Sequence, residues 1–242
     1  MRSLKTLWNM AISIEPSSLA ILLRKSSSYP WRLHLAILAP LLFAVIITGV
    51  LHGFWGEQPR IWYEALRRAH PIITMAMRAI TNYSASALYA AYCIILIYAV
   101  AVRDRDRIIF VLRFVIIALI YALAVTQLLK AGLGMPRPGH PLPLHPFNFS
   151  HDYSSFPSGH TVSIITTALP LALRLGRKKV FISLSLLITA VGISRLWLGA
   201  HHPVDVFGGI IVGSIAARFI FYRPCNFPLL GNFRPPFIKK ES

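Results

Sequence analysis

Residues Ser194 to Asp205 read Ser-Arg-Leu-Trp-Leu-Gly-Ala-His-His-Pro-Val-Asp, and they fall where one long apolar run ends and another begins. Ionisable groups at a bilayer boundary are costly, so Arg195, His201 and Asp205 in one short stretch call for a functional reason. Pro203 suits the first turn of a new helix, which puts Asp205 in that turn and His201 just before it. Four residues on, the carboxylate can reach back to the imidazole. A carboxylate on one ring nitrogen fixes the tautomer and frees the other nitrogen as a base or nucleophile. Arg195 then supplies positive charge for an anionic substrate. A His-Asp pair at a helix start can also be only a cap or a satisfied polar contact, so the reading leans on two further stretches.

The chain has 242 residues, 55% of them hydrophobic and 14% charged, with a mean hydropathy of +0.60. This is the composition of a membrane protein. A formal charge of +17 would suggest nucleic acid in a soluble chain. Here the basic residues lie between apolar runs, which points to lipid headgroups and membrane orientation and away from nucleic acid. Cys93 in an apolar run and Cys225 in the basic tail do not make a disulfide framework.

The periodicity and breaks predict an all-α integral membrane protein with six transmembrane helices. Residues 1 to 32 read as a cytoplasmic or interfacial segment, with apolar patches broken by Glu15 and Pro16 and no cleavable signal. Residues 33 to 221 read as the membrane domain, and 222 to 242 as a basic cytoplasmic tail. The first span runs from Leu33 to about Leu51, which at about 1.5 Å per residue roughly crosses the ~30 Å hydrocarbon core. Residues 53 to 81 mix Trp55, Trp62 and Tyr63 with Arg60, Arg67, Arg68 and Arg78, as expected of an interfacial segment between helices 1 and 2. Further spans are expected from about Tyr83 to Val102, Ile108 to Leu129, His160 to Leu175, Val180 to Leu198 and Val204 to Phe221. Residues 131 to 157, with Pro136, Pro138, Pro141, Pro143 and Pro146, read as an ordered loop over one membrane face.

Six spans put both termini on one side. The segments on that side hold 17 of the 25 lysines and arginines and the opposite loops hold 7, which marks the termini as cytoplasmic. Lys130, Arg137 and Arg195 belong to the minority on the outer side.

Lys130 ends the third span, and Gly132, Gly134 and Pro136 break the helix before Arg137 and Pro138. The fourth span opens with Phe156-Pro157-Ser158-Gly159-His160, where Ser158 can cap the helix and Gly159 lets a ligand approach the backbone. Free N–H groups at such a start bind anions. The span count puts all three stretches on one membrane face. Three cations, a hydroxyl, backbone donors and two histidines suit phosphoryl transfer, in which catalysis is mostly positioning and charge stabilisation. In this assignment His201 makes the in-line attack, Asp205 orients it and His160 protonates the leaving oxygen. Lys130, Arg137, Ser158, Gly159 and Arg195 hold the equatorial oxygens.

These residues carry a resemblance. Lys130 to Pro138 fits Lys-x6-Arg-Pro, Pro157 to His160 fits Pro-Ser-Gly-His, and Ser194 to Asp205 fits Ser-Arg-x5-His-x3-Asp. In order and without departure, they resemble the three signature motifs of the type 2 phosphatidic acid phosphatase (PAP2) superfamily. The resemblance implies a six-helix membrane fold and a site that needs neither metal nor cofactor. It also implies the residue roles just given, and covers about residues 130 to 205. Bacterial inner-membrane members act on undecaprenyl diphosphate, phosphatidylglycerol phosphate or the phosphates of lipid A. A periplasmic site under an aromatic loop makes a lipid A or undecaprenyl-type substrate the expected one, and a lipid-to-lipid phosphotransferase is the variant within the family.

Two rival classes remain. His201, His202 and Asp205 could be ligands of a metal-dependent hydrolase, but no His-Glu-x-x-His element is present and three nearby cations oppose a divalent metal. An anion or lipid transporter could use the same basic residues, though it has no need of the His-Asp pair. His202, His140, His145 and His151 read as loop or interface residues. Asn82-Tyr83-Ser84 and Asn148-Phe149-Ser150 fit a glycosylation pattern that a bacterial source leaves unused. The sequence does not set the oligomeric state.

Overall fold

The computed structural model describes residues 29–140, 143–147 and 149–221. Most of the N-terminal segment, the basic tail, Cys225 and Asn148 lie outside the described residues. The elements are helices α1 (Trp31–His52), α2 (Glu57–Ala69), α3 (Pro71–Ala101), α4 (Arg105–Leu133), α5 (Gly159–Leu175), α6 (Lys178–Trp197) and α7 (Pro203–Phe221). A single 3-10 turn, His151–Tyr153, interrupts the long loop before α5.

Among the described residues five helices, α1, α3, α4, α6 and α7, are long and apolar enough to cross a membrane. Their outward faces expose large apolar side chains, such as Val50, Ile97, Leu128 and Leu186, at more than half of their surface. Such continuous exposure would be a liability in water and is ordinary against lipid. The chain is an integral membrane protein.

α5 is different. It has 17 residues and is buried on nearly every side, from Thr161 and Val162 through Ile164 to Leu173. It is the axis of the bundle, and the five longer apolar helices pack around it. α7 lies against it most closely because Gly209 and Gly213 present no side chains on the shared face, while Gly208 makes room for the ring of Phe156 in the preceding loop. A Cβ at Gly209 would stand 2.7 Å from Thr161 Cβ and 3.0 Å from the Ser158 carbonyl. Pro170 sits inside α5, and Tyr92 of α3 donates to the Thr167 carbonyl at 2.9 Å, so a polar backbone group near that break is satisfied.

Two boundaries differ from the sequence expectation. The stretch from 53 to 81 is not one segment. Pro71 starts a new helix, so residues 71 to 81 are the first turns of the 31-residue α3, and only α2, with Pro59 and Tyr63 buried, remains between the first two spans. The other difference lies inside α4, which is α-helical from Arg105 to Ala118 and again from Thr126, but π-helical over Leu119–Val125. The Thr126 hydroxyl donates to the Tyr121 carbonyl at 2.8 Å within this wider turn. Gly134, at φ 55° and ψ 41°, ends α4 in the left-handed conformation, and a Cβ there would strike the His145 carbonyl.

Candidate active site

The loop that follows α4 is tied down by its backbone. Arg137 N–H donates to the Asp152 carbonyl at 2.8 Å, His145 N–H to Gly134 at 2.9 Å and Ser155 N–H to Met135 at 3.0 Å. It folds over one end of the bundle, where the last turn of α4, the first of α5, the last of α6 and the first of α7 converge.

The third motif contributes a buried ionisable pair. His201 is 4% exposed and Asp205 is fully buried, with Nδ1 of the imidazole 3.4 Å from Oδ2 of the carboxylate. The expected reach from Asp205 back to His201 is therefore present in distance. Oδ2 also accepts hydrogen bonds from the Ser155 hydroxyl at 2.5 Å and the His202 N–H at 2.8 Å, which lock the carboxylate in place. His201 lies between the membrane-spanning helices. Burial, and then the charges of Arg137, Arg195, Lys130 and His160, push its pKa well below the usual imidazole range. A base held neutral in this way keeps its lone pair for attack.

The cations surround that imidazole. Lys130, largely buried in the last turn of α4, donates to the Ser154 carbonyl at 2.5 Å. Arg137 donates from Nε to the His151 carbonyl at 2.8 Å and from Nη1 to the Ala200 carbonyl at 3.1 Å, so it bridges the loop to the third motif. Burial is the main effect lowering the Arg137 pKa, with Asp205 and Asp152 opposing it. Arg195 donates from Nη1 to Thr81 of α3 at 3.1 Å, while its buried Nε has no hydrogen-bond partner among the described residues. A buried guanidinium with an unused donor is suited to an anion.

At the start of α5 one expectation is corrected. Ser158 occupies the cap position but its side chain makes no capping bond. Its fully buried hydroxyl instead accepts from Thr161 Oγ1 at 3.0 Å, and its N–H donates to the Asp205 carbonyl at 2.9 Å, which stitches the second motif to the third. The N–H groups of Gly159 and His160 follow as first donors of the helix, without intrahelical partners. A Cβ at Gly159 would sit 3.9 Å from Lys130 Cε, so the glycine keeps open the space beside that cation. The His160 ring is exposed at the mouth, in contrast to His201. All eight residues singled out in the sequence thus stand at one end of the bundle.

Sequence reasoning missed the supports. Ser155 has no distinguishing spacing, and Thr81 lies in α3, far from any motif. The α1–α2 connection also reaches the site. Trp55 stacks on His202 with ring centroids 4.3 Å apart, the Phe54 carbonyl accepts from Val204 N–H at 3.2 Å, and Glu57 accepts from Gly139 N–H at 2.9 Å. His202, read from sequence as a loop or interface residue, is 3% exposed beneath that tryptophan. His140, His145 and His151 lie in the loop between α4 and α5.

Comparison with known proteins follows the same geography. Residues 110–227 match the family model of the PAP2 superfamily. All three motifs lie inside the matched stretch, and the connection bearing Trp55 and Glu57 lies outside it. Over 69 residues the chain is 41% identical to the bacitracin transport permease protein BcrC of Bacillus licheniformis, covering 28% of this chain and 33% of that protein. It is 37% identical over 70 residues to the undecaprenyl-diphosphatase BcrC of Bacillus subtilis, covering 29% and 35%. It is also 29% identical over 119 residues to a lipid A 1-phosphatase of Rhizobium johnstonii, covering 46% and 48%. The chain thus spans between a third and a half of the length of these curated relatives. No solved structure matches it.

Proposed function

We propose that this protein is a membrane lipid phosphatase that cleaves a phosphate monoester or diphosphate through a phosphohistidine. The observation that carries the reading is the buried His201–Asp205 pair, 3.4 Å apart, enclosed by Lys130, Arg137 and Arg195. The cations and the first N–H groups of α5 hold the phosphoryl oxygens. Asp205 lies on the Nδ1 side, which leaves Nε2 of His201 to attack phosphorus in line. As the P–N bond forms, the bond from phosphorus to the lipid oxygen breaks, and His160 gives that oxygen a proton. Water then attacks the phosphohistidine, returns a proton to His160 and releases inorganic phosphate.

Six spans, with α5 as the short inner one, put both termini in the cytoplasm and the site on the periplasmic face of an inner membrane. A lipid with its phosphate at that face, of the lipid A or undecaprenyl diphosphate type, is the substrate that best fits. No group of three or more His, Cys, Asp or Glu side chains that could hold a metal gathers among the described residues. The test is phosphate release by purified protein from a panel of lipid phosphates, with His201→Ala as blank. Release that survives EDTA and is blocked by vanadate supports the phosphohistidine, and abolition by chelator sinks it.

The permease name of one relative gives a transport reading a definite footing. It requires His201→Ala to leave transport largely intact, whereas hydrolysis requires that variant to lose phosphate release while keeping its fold. Transfer to a second lipid instead of water is detected as phosphorylated acceptor in place of free phosphate.

A further inference from the structure

Beside the site lies a second group of cations that the proposed reaction does not use. α2 contributes Arg60, Arg67 and Arg68, and α3 contributes Arg78. Two carboxylates are available to them, and both are taken. Glu57 pairs with Arg60, and Glu64 meets Arg60 Nη1 at 3.4 Å and Arg68 Nη2 at 2.5 Å. Arg67 is left with a neutral partner, the Trp197 carbonyl, and its guanidinium lies against Gly199 of the third motif. Burial makes Arg67 easier to deprotonate than an ordinary arginine; Glu64, the largest of the charge effects, opposes this, and Arg60, Arg68 and Arg78 add to it. Exposed Arg78 has neither an ion pair nor a hydrogen bond among the described residues.

The placement of Arg78 follows from helix geometry. Thr74, Arg78 and Thr81 are spaced four and three residues apart, on one face of α3. Thr74 accepts from Trp197 Nε1 at 3.0 Å, and Thr81 accepts from Arg195 Nη1 at 3.1 Å. Arg78 therefore sits between two contacts to the last turn of α6, about 4.5 Å along the axis from the threonine that holds a site arginine. Ile72 and Met75, on the same turns of α3, are 81% and 71% exposed, so this flank meets lipid. Uncompensated positive charge at such a boundary is stabilised by an anion that arrives with the lipid.

We propose that Arg67 and Arg78 form a second anion subsite, which takes a phosphate carried elsewhere on the headgroup of the lipid being cleaved. The inference rests on the phosphatase reading and narrows its substrate class. On this proposal Lys130, Arg137 and Arg195 take the phosphate being cleaved, and the α3 flank takes a second one on the far side of the headgroup. The preferred substrate is thus a lipid with two phosphates on opposite ends of its headgroup.

The test compares a bisphosphorylated disaccharide lipid with its monophosphorylated form, using full-length protein in neutral detergent micelles. R78Q is expected to lower the ratio of kcat/KM for the two lipids, bisphosphorylated over monophosphorylated, about tenfold, through KM. An unchanged ratio overturns the proposal. A parallel series with phosphatidylglycerol in the micelles separates the two sources of phosphate. If Arg78 serves surrounding headgroups, R78Q affects both substrates alike and only when the anionic lipid is present, which also overturns the proposal. Affinities measured on the His201→Ala background need no turnover. There R78Q is expected to remove about tenfold of the preference for the bisphosphorylated lipid. Absence of phosphate release from the wild type sinks the catalytic reading, and an R78Q-insensitive preference sinks the subsite.

Discussion

Replacing Asp205 with asparagine keeps shape and changes charge, so it isolates what the carboxylate does. The asparagine oxygen can still accept from Ser155 and the His202 N–H, the two bonds that fix the side chain. What is lost is a negative charge 3.4 Å from the imidazole that becomes positive as His201 is phosphorylated. Coulomb's law at an effective dielectric constant of about 20 makes that interaction about 5 kcal/mol at this separation. At 1.36 kcal/mol per factor of ten, full loss corresponds to a fall in kcat of about 10³ to 10⁴. KM should move little, since the substrate phosphate is held by cations. The assay is steady-state phosphate release from a lipid phosphate in detergent micelles, with thermal unfolding run beside it to show that the fold survives. A folded Asp205→Asn protein with kcat within tenfold of wild type would refute the role given to the His201–Asp205 pair.

The pH dependence follows from the sign of the shift on His201. Its active form is the neutral imidazole, and burial holds its pKa well below the ordinary imidazole value of about 6.5, so kcat/KM should stay level as pH drops through that value and fall only at distinctly lower pH. A loss centred on 6.5 in a pH–rate profile contradicts this. Gly209→Ala puts a Cβ 3.0 Å from the Ser158 carbonyl and 2.7 Å from Thr161 Cβ, and overpacking of this kind costs about 1–3 kcal/mol. It should lower both melting temperature and kcat, because the displaced backbone belongs to the second motif. In Gly192→Ala the nearest atoms to the new Cβ belong to the Leu41 side chain, away from the three motifs, and activity should be retained at some cost in stability. Glu57→Ala removes the acceptor for Gly139 N–H, a bond worth about 1 kcal/mol, and should raise KM about fivefold by loosening the loop that carries Arg137. An unchanged KM shows that the connection does not steady the site.

The helical framework was legible in the sequence because apolar runs of membrane length leave few alternatives, and the three motifs stood out because charges are rare inside such runs. The eight candidate residues do share one end of the bundle. Less legible was anything set by packing between distant segments. Ser155 and Thr81 are ordinary hydroxyls until the fold brings them to Asp205 and Arg195. Ser158 looked like a cap from its position, but burial under Thr161 gave its hydroxyl another partner. The break at Pro71 was readable in principle, yet the arginines and tryptophans around it outweighed the proline and merged α2 with the start of α3. His202 read as peripheral because Trp55, which covers it, lies 147 residues earlier in the chain.

The π-helical turn at Leu119–Val125 sets the angular phase of everything that follows it on α4. An α-helix advances about 100° per residue, so a wide turn of this kind acts as a rotary offset between the lipid-facing half of the helix and its final turn. Rewinding that turn as a uniform α-helix, with no residue removed, would swing Lys130 by roughly a quarter-turn away from the Ser154 carbonyl that it now touches. The aim of a cation at the membrane surface is thus decided by how tightly the chain is wound several residues deeper in the bilayer.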